Sequence, residues 1–160
     1  MTRRMARYAL LTSLAMVLSW LESMVPVSAA APGVKLGLTN LVVIFALYRM
    51  GLRAAAAVSL ARVGLVSMTF GNAYSFAYSL AGAALSLAVM ALLRRTGRFS
   101  ILGVSVAGGV SHNIAQILVA VAALGTGRLA WYLPALLVSG VAAGVAIGAV
   151  GGVLTERIKI

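Results

Sequence analysis

The chain has 160 residues, 62% of them hydrophobic and 9% charged, with a formal net charge of +11. Soluble domains lie nearer about 45–50% apolar and about 25% charged, so a water-soluble globule of this size is excluded and lipid must be the solvent. The absence of cysteine and aspartate excludes disulfides, thiolate metal sites and paired-aspartate magnesium sites.

Six apolar stretches follow one another as a single transmembrane domain over 1–160. The first is 5–25, preceded by Arg3, Arg4 and Arg7 and ended by Pro26. Its basic start, with Val27-Ser28-Ala29 before Ala30, has the outline of a signal peptide. The apolar run is too long for that reading, and Glu22 inside it has no purpose in a disposable leader. Pro32-Gly33 marks a turn. The second stretch, 35–48, is short for a span. The others are 54–70, 73–93, 99–124 and 129–154, the last with Pro134 near its start, where proline is tolerated. A span takes about 20 residues at 1.5 Å each, so the second and third are short or lie in thinned membrane.

The loops set the orientation. Arg3, Arg4, Arg7, Arg49, Arg53, Arg94, Arg95, Arg98, Arg157 and Lys159 fall on one side, ten of the 13 basic residues. Lys35 and Arg128 fall on the other, and Arg62 lies within the third span. The positive-inside rule places the ten in the cytoplasm. The expected fold is an all-α integral membrane protein of the cell membrane, a compact bundle of six transmembrane helices with both termini inside.

Two stripes of small residues stand out. Gly140, Gly144, Gly148 and Gly152 recur every fourth residue in the sixth stretch. Ala9 and Ser13, then Ala15 and Ser19, repeat that spacing in the first. Small residues at this spacing let helix backbones approach closely in lipid. The glycines are assigned to packing within the bundle; Ala9 and Ser13 offer a face for a partner protein.

Charged and amide side chains in a span cost about 2.5–3.5 kcal/mol on insertion scales, which makes them candidates for function. They are Glu22, Asn40, Arg62, His112, Asn113 and Gln116, with Lys35 and Asn72 near the outer ends. Counting helical rise from the nearest basic loop puts Arg62 and Asn40 about 13–14 Å deep and His112 and Glu22 about 21–23 Å deep. All fall from the middle to the outer half of a core about 30 Å thick. Ser105, Gly109, His112 and Gln116 share one helical face, with Asn113 beside it. A ligand pocket open to the outside is one reading; interhelical hydrogen bonding is the other. For Glu22 and Arg62 the structural alternative is an ion pair, and for Asn72 a turn after Gly71. Lys35 and Arg62 outnumber Glu22, so an anionic solute fits better than a cation.

Catalytic signals are missing. No glycine-rich phosphate loop precedes a Lys-Ser/Thr pair, a lone histidine makes no zinc site, and no nucleophile stands at informative spacing from a base. No enzymatic activity, cofactor or nucleic-acid partner is expected.

Glu22-Ser23, the run Pro32-Gly33-Val34-Lys35-Leu36-Gly37-Leu38-Thr39-Asn40, Ala61-Arg62, Phe70-Gly71-Asn72, Ser79-Leu80-Ala81-Gly82, Ser111-His112-Asn113-Ile114-Ala115-Gln116, Tyr132-Leu133-Pro134 and Ser139-Gly140 together resemble the Gx transporter family. That family is also labelled heptaprenyl diphosphate synthase component I and is similar to the S-components of energy-coupling factor transporters. The resemblance covers almost the whole chain. It implies a six-helix subunit that binds a small solute and works with a transmembrane coupling protein and a pair of cytosolic ATPases. The family's other label implies a membrane subunit tied to polyprenyl diphosphate synthesis. Without aspartate, such a subunit would not be catalytic.

Overall fold

A computed structural model describes residues 3–24, 37–71 and 73–158. They form six α-helices: α1 (Arg3–Met24), α2 (Thr39–Met50), α3 (Leu52–Phe70), α4 (Ala73–Thr96), α5 (Ile101–Leu124) and α6 (Leu133–Arg157). A 3-10 segment, Gly127–Tyr132, leads into α6. No strand occurs among the described residues. Pro134 sits in the first turn of α6, where a missing N–H costs nothing.

Four helices, α3 to α6, are long and apolar enough to cross a membrane; the chain is a multi-pass membrane protein. The other two fall outside that measure of length and composition. α1 has 22 residues, about 33 Å of helix, but Arg7 and Glu22 dilute its apolar run. α2 has only 12 residues, about 18 Å, too little for a core about 30 Å thick. It is instead the centre of the bundle. Val42, Val43, Ile44, Phe45, Ala46 and Leu47 are consecutive and all buried. A helix apolar on every side is one enclosed on every side, so the continuous run marks burial in protein.

Three glycine-dependent contacts define how the helices run. A Cβ on Gly109 would lie 2.5 Å from the Gly140 carbonyl oxygen, one on Gly144 2.5 Å from Val106 Cα, and one on Gly148 2.7 Å from Leu102 Cα. As α6 numbers rise, α5 numbers fall, so the pair is antiparallel and packed backbone to backbone. α4 and α5 are antiparallel by the same test, with Gly82 against His112 and Gly108 against Met90 and Ser86. Gly152 has no neighbour within 4 Å of a Cβ position; Gly151 instead faces Ile44 of α2.

The helix ends are tied across the bundle. Arg94 donates to the carbonyls of Leu47 (2.5 Å) and Tyr48 (3.4 Å) at the end of α2. The Gly37 N–H donates to Glu22 Oε1 at 2.5 Å, joining the end of α1 to the start of α2. The loops holding Arg49, Arg53, Arg94, Arg95 and Arg98 therefore share one end of the molecule. Glu22 and the start of α2 lie deeper in the bundle, where a Cβ on Gly37 would be 3.7 Å from Ile147 of α6. α1, α3 and α5 carry outward leucines and other large apolar residues, Leu10, Leu60, Met68 and Leu118 among them, as a lipid-facing surface requires.

Candidate functional site

The polar residues collect in two adjoining groups inside the bundle. The first is built on Glu22. Its carboxylate holds the Gly37 N–H, and Arg62 of α3 lies within its electrostatic reach. Arg62 is 7% exposed, and its Nε has no hydrogen-bond partner among the described residues. Gly37 has φ +68°, the left-handed region that favours glycine. Its carbonyl accepts from the Asn40 N–H at 2.8 Å, which starts α2 and sets Asn40 beside it.

The second group surrounds a cavity of about 20 Å³ lined by Gly37, Asn40, Ser105, Gly109, His112 and Asn113, and by Gly140, Ala143, Gly144 and Ile147 of α6. About 10–15 Å³ admits one water, so this space has room for a water-sized molecule and is too small for a solute in the conformation seen. Gly37 belongs to both groups and links them. The structure thus brings Asn40, His112 and Asn113 together, with Ser105 and Gly109 from the same helical face.

Asn113 and His112 face different neighbours. The Asn113 amide nitrogen donates to the Leu136 carbonyl (2.7 Å) and to Ser139 Oγ (3.4 Å), both on α6. His112 lies against α4, where a Cβ on Gly82 would be 2.8–3.0 Å from the imidazole ring atoms. Gly82 is therefore the seat of that ring. Gln116 does not line the cavity. It is 1% exposed, and neither amide atom has a hydrogen-bond partner among the described residues. Arg62 does not line it either. Lys35 and Asn72 lie outside the described residues.

Ala9 and Ser13 are exposed on α1, whereas Ala15 and Ser19, on the other stripe of the same helix, are buried. No cluster of metal-ligating side chains occurs among the described residues.

Gly37 and Gly82 take roles that the motifs containing them do not announce. The signal for Gly37 was its place just before a continuous apolar run. Gly82 carried none, because the residue it accommodates, His112, is thirty positions away. Arg94 was read only as a marker of orientation; its bonds to α2 depend on helix packing.

A family model, described as heptaprenyl diphosphate synthase component I, matches residues 11–154. No curated protein and no solved structure matches the chain.

Proposed function

The chain belongs to the heptaprenyl diphosphate synthase component I family, and from that premise and the polar cluster we propose that it is a solute-binding membrane subunit of the S-component type. It serves an ATP-driven uptake transporter of the energy-coupling factor class. The observation that carries this reading is the burial of Arg62, His112, Asn113 and Gln116 in the bundle, with Gln116 and Arg62 Nε left without hydrogen-bond partners among the described residues. A buried polar group without a partner costs about 1–3 kcal/mol, and lipid provides no compensation. A pocket whose polar groups are completed by a bound solute accounts for that cost; packing alone does not.

In this reading Asn40, His112, Asn113 and Gln116 contact the solute. Arg62 and Lys35 favour an anionic one, and Glu22 and Asn72 complete the outer rim. The present cavity admits only a water, so the solute enters as the helices around it part. The protein lies in the cytoplasmic membrane, catalyses no reaction and holds no cofactor. A transmembrane coupling protein and a pair of cytosolic ATPases supply the energy. Mass spectrometry of the small molecules released when the purified protein is denatured tests the assignment. One stoichiometric solute, lost with Gln116→Ala, is expected. A solute-free protein that instead copurifies with a soluble prenyl synthase would replace it with the second reading, a non-catalytic membrane subunit of polyprenyl diphosphate synthesis. The family's own description favours that second reading.

A further inference from the structure

A larger cavity lies at the arginine-rich end of the bundle. It measures about 270 Å³ and is lined by Leu47, Leu52, Ala91, Arg94 and Arg95, far above the ~10–15 Å³ that one water needs. α4 has 24 residues, about 36 Å of helix. That exceeds a hydrocarbon core about 30 Å thick, so the two arginines at its end reach the membrane interface. We propose that this cavity binds the phosphate head of an anionic amphiphile, the head on the arginines and the chain leaving past Leu52 into the bilayer.

Three observations support the assignment. The first is charge. Both guanidiniums line one cavity, and no carboxylate does; the chain's acidic residues are only Glu22 and Glu156. The second is order. Arg94 is held by the Leu47 and Tyr48 carbonyls, and its guanidinium carbon sits 5.1 Å from the Tyr48 ring centroid. Its position is set before a ligand arrives, which lowers the cost of binding. Two carbonyls use only part of a five-donor fork, and the remaining N–H groups have no hydrogen-bond partner among the described residues and can meet phosphate oxygens. The third is the wall. Leu47 and Ala91 are buried while Leu52 is 37% exposed, giving an apolar path from the cavity floor to lipid. A free anion would use the arginines but not this path. The site shares no residue with the solute cluster, so the two assignments fail independently.

The full-length protein in neutral detergent would be mixed with phosphatidylglycerol, phosphatidylcholine, farnesyl diphosphate or inorganic phosphate, and bound adducts counted by native mass spectrometry. Phosphatidylglycerol is expected to be retained at least tenfold better than zwitterionic phosphatidylcholine. Arg95→Gln, a change at an exposed side chain outside the Arg94 bonds, is expected to remove most of that preference. Displacement of phosphatidylglycerol by farnesyl diphosphate identifies a prenyl diphosphate head as the preferred source. Resistance to it identifies the bilayer phospholipid. Equal retention of the two phospholipids, or an unchanged preference in Arg95→Gln, overturns the proposal. Complete displacement by inorganic phosphate overturns the role of the chain. Arg94→Lys, which keeps the charge but loses the fork, is expected to bind less well and checks the Arg94 contribution separately.

Discussion

A side-chain amide within a lipid-embedded bundle has few places to send its hydrogen bonds, and Asn113 and Gln116 meet that constraint in different ways. Asn113 donates to the Leu136 carbonyl and so fastens α5 to α6. Gln116, one turn on, has no such bond among the described residues. Interhelical hydrogen bonds measured in membrane proteins average about 0.6 kcal/mol and reach about 1.7, so removing the Asn113 bond should be survivable. Asn113→Ala is expected to cost about 1 kcal/mol in thermal or denaturant unfolding while reducing solute binding more than tenfold. A variant that loses its fold, from a parent that releases no solute on denaturation, would establish Asn113 as a fastening between helices and nothing more. The position of this residue was legible in the sequence, because an amide in an apolar run has few bland explanations. Its partner was not, since a backbone carbonyl on another helix leaves no mark in composition.

At the scale of helices, the closest packing comes from glycine. α6 presents Gly140, Gly144 and Gly148 to the backbone of α5, where a Cβ would intrude to 2.5–3.0 Å of the neighbouring atoms. The four-residue spacing made that face readable in advance, but it extended the stripe one member too far. Gly152 continues the period, yet α5 begins only at Ile101, and a Cβ there meets nothing. The two ends of the stripe should therefore respond oppositely. Gly144→Ala forces backbone against backbone and is expected to destabilise by about 1–3 kcal/mol. Gly152→Ala relieves a helix interior of glycine and is expected to be neutral or to stabilise by up to about 1 kcal/mol. Thermal unfolding of the two variants in the same detergent distinguishes them. α2 shows what hydropathy alone leaves open. Hydropathy cannot distinguish residues that face lipid from residues that face protein, because both are apolar. Length is the discriminating quantity, and 12 residues place α2 inside the bundle.

For the molecule as a whole, the structure gathers the basic loops at one end without saying which compartment that end meets. The charge bias answers through the positive-inside rule: the arginine-rich end should be cytoplasmic. The chain lacks cysteine, so single cysteines at Arg98 and Arg128 can be introduced without background. A membrane-impermeant thiol reagent should reach Arg128→Cys from outside intact cells and Arg98→Cys only after permeabilisation. Labelling of both from one side would remove the topology.

That orientation bears on energy coupling. Under the proposed function, force reaches the chain through a membrane partner at the cytoplasmic end. Helix association in lipid rests on close packing of small residues, so the docking face must be small, outward and near that end. Ala15 and Ser19 are small but buried within the bundle. Gly140, Gly144 and Gly148 are occupied by α5. Ala9 and Ser13 meet all three conditions, being exposed in the basic half of α1. Ser13→Trp places a large side chain on that outward face and does not disturb the core. It is expected to leave solute binding and unfolding temperature unchanged while abolishing both uptake and copurification with a coupling subunit. Retained uptake in Ser13→Trp would move the docking face elsewhere. Uptake by the wild-type chain alone, in liposomes without ATP, would show that no coupling partner is needed and would end the S-component reading.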